Sequence, residues 1–168
     1  MTSLGSSTPR EQWARCWLAA PREAFLSAAR AARDGLDVRY LSLPQNGLAL
    51  LPLKDGAYHE TFNLGEIPLA RVHLALTRRG AAGKGEEIRG GACVMEDDME
   101  CVEALALADA LMAADWPQAE PFVALLADGE RAIEQQTAER KALLSATTVD
   151  FSLLGMTGDD DTEDTRDA

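Results

Sequence analysis

The chain has 168 residues, enough for one domain and short for two. An apolar fraction of 46% and a charged fraction of 26% are ordinary for a globular protein with its own core. Its 16 Lys and Arg against 28 Asp and Glu give a net charge of -12, which argues against nucleic acid and anionic membrane surfaces as partners, since both need a basic face.

No apolar run approaches the ~18 residues of a membrane-spanning helix. Residues 1–8 are small and polar, with no basic start and no apolar core, so no secretory signal is expected. Three cysteines, Cys16, Cys93 and Cys101, form no framework pattern and fit a reducing cytoplasm. Residues 159–168 hold six acids against Arg166, which is -5 of the total. They lack any large apolar residue and are expected to form a disordered, solubilising tail after a single domain over residues 1–158.

Thr8-Pro9-Arg10-Glu11 reads as a capping box with proline at the first helical position. Trp13, Trp17 and Ala20 then share one helical face. Pro21 starts a second helix after a break at Ala20, and Phe25, Ala28, Ala29 and Ala32 line one side of it. Gly35 is placed to stop it. Strand-like sequence follows over residues 37–43. Pro44-Gln45-Asn46-Gly47 reads as a turn, and Leu48 to Leu53 as an apolar strand that Pro52 confines to an edge or bulge.

Lys54-Asp55-Gly56 is a second turn, and a short strand runs to Gly65. From Leu69 to Thr77 the chain alternates. Ala70, Val72, Leu74 and Leu76 lie on one face, and Arg71, His73, Ala75 and Thr77 on the other, as in a half-buried antiparallel strand. Residues 86–95 return as a strand in which Gly90 and Gly91 mark a bulge or a close contact.

Asp97 and Asp98 can cap the next helix, with Asp97 and Glu100 at capping-box spacing. That helix runs to about Ala114 with Val102, Leu105, Ala108, Leu111 and Met112 as a wide stripe. Trp116-Pro117 ends it. Phe122, Leu125 and Leu126 form a short helix interrupted by Gly129. A charged helix follows to about Ala146, and Val149-Asp150-Phe151 is extended. Helices, then a run of strands, then helices, predict an α+β fold: an antiparallel sheet with N-terminal and C-terminal helices packed against it.

The chemistry-bearing residues give little. Gly80-Ala81-Ala82-Gly83-Lys84-Gly85 has the wrong spacing for a phosphate loop and no hydroxyl after the lysine. Cys93, Cys101, His59 and His73 show no metal-ligand spacing, and no metal or cofactor is expected. Cys101 falls in a first helical turn, but Glu96, Asp97, Asp98, Glu100 and Glu103 disfavour its thiolate. That acidic run lacks the glycine of a calcium loop and reads as a solvated helix start. Phe62-Asn63-Leu64-Gly65-Glu66 reads as a tight bend across which Glu66 can pair with Arg71.

Phe62-Asn63-Leu64-Gly65-Glu66 followed by Arg71 resembles the signature of the PhnG family of the bacterial carbon–phosphorus lyase system. Arg10-Glu11-Gln12-Trp13, Pro44-Gln45-Asn46-Gly47-Leu48, the stretch from Glu103 through Asp109 to Met112, and Val149-Asp150-Phe151 resemble the family in the same order. The chain departs from the family at Glu96-Asp97-Asp98-Met99, where a basic turn is usual, and at Cys101, where histidine is common.

The resemblance implies a non-catalytic subunit of a multi-protein assembly that degrades phosphonates, supporting the step in which a phosphonate displaces adenine from ATP to give ribose 1-phosphonate 5-triphosphate. It implies nucleosidase-type and other lyase subunits as partners in a hetero-oligomer. Phe62, Asn63, Gly65, Glu66, Arg71, Asp109 and Phe151 become structural or partner-contact residues. Trp13, Trp17, Trp116 and Phe151 are candidates for core or for a buried interface. The rival readings are a stand-alone enzyme with a Glu66/Arg71 site, with or without His73, and an orphan acidic protein-binding module.

Overall fold

The computed structural model describes residues 7–78 and 86–147. The chain divides into two units, residues 1–133 and residues 134–168. The first unit contains helices α1 (Arg10–Ala19) and α2 (Arg22–Arg33), strands β1 (Leu36–Lys54), β2 (Thr61–Arg78) and β3 (Ile88–Val94), helix α3 (Met99–Ala113), a single 3-10 turn over Pro117–Ala119, and the start of helix α4 (Glu120–Ala146). The strands form one antiparallel sheet in the order β1-β2-β3, and the fold is α+β. In the second unit, α4 continues with Gln135 donating to Glu139 one turn on, and Leu143 and Leu144 are exposed.

Helix α1 stops at Ala20 because Pro21 cannot continue it, and α2 begins directly afterwards with Pro21 as its N-cap. Gly35 follows the end of α2 at φ +83°, a conformation that side chains resist, so the stop at Gly35 is as expected. The capping box does not form. Pro9, not Thr8, is the N-cap of α1, and the Thr8 hydroxyl instead donates to Glu130.

Ala70, Val72, Leu74 and Leu76 form the buried face of β2, as their alternation predicts. Helix α3 lies across that face and packs against α1 and α2 as well. Covered this way, α3 buries Val102, Ala104, Leu105, Ala106, Ala108 and Leu111 around almost its whole surface, which is wider than a single stripe. Its alanines permit close approach. At Gly90 on β3 a Cβ would lie 2.2 Å from the Ala106 carbonyl oxygen, so the predicted close contact is real. Trp17, Phe25 and Phe122 complete the core with ring centroids 5.8–6.1 Å apart, and the Trp17 indole donates to the Phe122 carbonyl at 3.0 Å. Trp17 and Trp116 are therefore core residues, not interface residues. Trp13 is half-buried, and its indole donates to the Thr8 carbonyl at 2.9 Å.

Three expectations about chain breaks are corrected. Residues 44–47 do not turn. They continue β1 through register shifts between Tyr40 and Gln45, because an edge strand can absorb extra residues as bulges. The sequence around Gly65 does not bend either: β2 is one 18-residue strand, and the extra residue Leu64 is taken up where Leu51 pairs with Gly65 and Pro52 with Asn63. Gly129 does not interrupt α4, which runs for 27 residues. A Cβ there would lie 1.9 Å from the Cys16 carbonyl oxygen, so Gly129 is the point where α4 crosses α1.

The acidic run before α3 is paired as well as solvated. Arg22 reaches Glu96 and Asp98, Arg30 reaches Glu100 at 2.7 Å, and Arg33 reaches Glu103 at 3.2 Å. Asp98 rather than Asp97 caps the helix, accepting from the N–H groups of Glu100 at 2.8 Å and Cys101 at 3.3 Å. The Arg22 guanidinium, with those two N–H groups, holds the Asp98 carboxyl below the usual carboxylate range. A lowered folded-state value means that the stabilisation is full above the unfolded value, near pH 4, and is lost as pH falls through the lowered one. Asp98→Asn should keep the cap yet flatten the loss of stability as pH falls below about 4, whereas Asp98→Ala should cost about 1 kcal/mol at pH 7. Urea unfolding of the three proteins in both pH regions checks the two outcomes.

Candidate functional site

Strand β3 pairs with β2 only from Ala70 to Leu76. Beyond Ala70, β1 and β2 continue together as a two-stranded arm to a turn at residues 55–60. The turn is built as the sequence predicts: the Asp55 N–H donates to the Glu60 carbonyl at 2.8 Å, and the Asp55 carboxylate accepts from Ala57 and Tyr58.

Among the described residues, seven of the thirteen exposed large apolar side chains fall within residues 48–64, on this arm. Cross-strand register sorts them. Gly47 with Leu69, Ala49 with Ile67, Leu51 with Gly65 and Leu53 with Phe62 share one face. Leu48 with Pro68, Leu50 with Glu66, Pro52 with Asn63 and Lys54 with Thr61 share the other. The first face is an unbroken apolar stripe and lies on the side of the sheet away from α3. A solvent-facing side of an antiparallel sheet is normally polar, and a continuous apolar surface of this kind marks a contact surface.

Four of the predicted site residues, Phe62, Asn63, Gly65 and Glu66, gather on the arm, and Arg71 stands at its base. Glu66 and Arg71 do not pair. They are five residues apart on one straight strand, about 17 Å, and point to opposite faces. Arg71 instead donates through Nε and Nη2 to the Gln45 side-chain oxygen at 3.2 and 2.9 Å. His73 is its neighbour on the same face, opposite Gly91.

Asp109 is separate from the arm. Its carboxylate takes a two-pronged contact from Arg10, Nε at 2.7 Å and Nη2 at 2.8 Å, and accepts the Gly91 N–H at 3.1 Å. One side chain thereby ties α1, α3 and β3 together, a positioning role. Phe151, Val149-Asp150-Phe151, the glycine-rich residues 80–85 and the acidic tail lie outside the described residues.

Burial pushes the Cys101 thiol up, with Glu96, Asp98 and Glu100 adding to the effect against Arg22. Burial raises Cys16 likewise, so both thiols are held protonated. Among the described residues no group of three His, Cys, Asp or Glu is gathered that could hold a metal ion, and no helix is long and apolar enough to cross a membrane. Sequence reasoning missed Leu51, Leu53, Ile67 and Leu69 as one surface. Part of the signal was present: the apolar run from Leu48 to Leu53 precedes the Lys54-Asp55-Gly56 turn, and Phe62, Leu64, Ile67 and Leu69 recur after it.

The fold and the arm together define a class: a small α+β protein whose antiparallel sheet extends into an apolar hairpin. The family model "phosphonate metabolism protein PhnG" matches residues 8–155, and the chain belongs to that family. Its role accordingly lies in phosphonate metabolism. No curated protein matches the chain.

Proposed function

We propose that the chain is a non-catalytic, cytoplasmic subunit of the carbon–phosphorus lyase core assembly. It supports the transfer in which a phosphonate displaces adenine from ATP to give ribose 1-phosphonate 5-triphosphate. The observation that carries this reading is the arm: Phe62 and Gly65 of the family signature form part of an apolar surface that the described part of the chain leaves open. A surface of this kind is stabilised when another chain covers it.

The stand-alone enzyme with Glu66 and Arg71 as acid and cation loses its support, because the two groups lie on opposite faces of β2. General acid–base work requires both within reach of one reacting bond. The buried, protonated state of Cys16 and Cys101 likewise favours a supporting role over nucleophilic chemistry.

Co-expression with the nucleosidase-type lyase subunit should yield a complex that stays together through gel filtration at moderate salt. The isolated chain should be poorly soluble or self-associated. Elution of the two proteins apart, with this chain a soluble monomer, would favour the orphan binding module.

A further inference from the structure

We infer that the apolar stripe of the arm seats a different protein chain, one that lays apolar side chains on Leu51, Leu53, Phe62 and Ile67 and sets a carboxylate against Arg71. The inference rests on the subunit reading above and names the surface that reading needs.

The stripe runs along the side of the sheet away from α3 and ends at Arg71. The chemistry changes there. Arg39 and Arg89, farther along the same face, share Glu87 as their counter-ion. Arg71 has only the neutral Gln45 oxygen, and no carboxylate among the described residues. In a molecule with 28 acids, a cation left without one at the end of an apolar track is complementary to a segment that is apolar and then acidic.

The backbone offers the same segment a seat. Strand β3 ends at Val94 opposite Ala70, so the edge of β2 from Thr61 to Leu69 has no partner strand among the described residues. An extended segment can pair with this edge while its alternate side chains fall on the stripe. A second copy of the chain fits less well. Each copy carries a net charge of -12, and each arm holds Asp55, Glu60 and Glu66 against Lys54.

The test uses the full chain with the nucleosidase-type lyase subunit, comparing wild type with Phe62→Glu, Leu53→Glu, Arg71→Glu and Arg71→Lys by affinity measurement at two salt concentrations. Phe62→Glu and Leu53→Glu should weaken binding by about thirtyfold or more, as for anchors at an interface centre. Arg71→Glu should weaken it about tenfold or more, and Arg71→Lys should keep most of the affinity. The isolated variants should melt within a few degrees of wild type, about the range of exposed substitutions. Binding by wild type that none of the four variants alters would overturn the inference and leave the subunit reading standing. No binding by wild type would overturn both. A defined homodimer of the isolated chain that Phe62→Glu dissolves, with binding to the lyase subunit unchanged in that variant, would assign the stripe to a second copy and overturn the choice of occupant.

Discussion

Replacing Gly129 with alanine should destabilise the protein by about 3 kcal/mol or more, the upper range for overpacking a tight contact. Helix propensity alone predicts the opposite sign, because alanine in a helix interior is favoured over glycine by about 1 kcal/mol. The structure decides between them. A Cβ at residue 129 would lie 1.9 Å from the Cys16 carbonyl oxygen and 2.5 Å from its carbonyl carbon, and both are backbone atoms that no rotamer change can move. Helices α1 and α4 would have to separate, loosening the Trp17–Phe122 contact beside them. Thermal and urea unfolding of Gly129→Ala checks this, and a raised Tm would contradict the crossing.

Trp17→Ala should cost about 3–5 kcal/mol, the range for removing a large aromatic from a packed core. Trp17 is 2% exposed and touches Trp13, Phe25 and Phe122 at ring-centroid distances of 5.8–6.1 Å. Its loss also leaves the buried Phe122 carbonyl without the indole N–H it accepts at 3.0 Å. For a chain of this size the change lowers Tm by about 10 °C. Trp17→Phe restores the ring but not the donor, and should recover most of the difference. A mild effect of Trp17→Ala on stability, with complex formation lost instead, would restore Trp17 to an interface.

The parts legible in the sequence are those set by local chemistry. Alternation from Ala70 to Leu76 gave the buried face of β2, Gly35 the end of α2, and Pro21 the break between helices. The breaks that failed were read from residues that favour turns when alone. Pro44-Gln45-Asn46-Gly47 and Leu64-Gly65 have turn chemistry, yet long pairing between β1 and β2 absorbs both as bulges. Long-range pairs left no local trace at all: Arg22, Arg30 and Arg33 meet acids some 70 residues away, and Gly129 meets Cys16.

The candidate site followed the same division. The signature residues from Phe62 to Glu66 could be picked out by resemblance, and the turn that carries them by composition. That they stand on an exposed arm follows from where β3 ends, and the opposed faces of Glu66 and Arg71 follow from one unbroken strand. The tie from Asp109 to Arg10 and Gly91 joins three elements distant in sequence, so a helical motif residue emerged as a clamp.

Adenine release from ATP and methylphosphonate, followed in a reconstituted lyase core with and without this chain, tests the central claim most directly. Release that requires the chain in the complex, with none from the chain alone, is the predicted result. Adenine release by the isolated chain, or undiminished release by a core lacking it, would contradict the account.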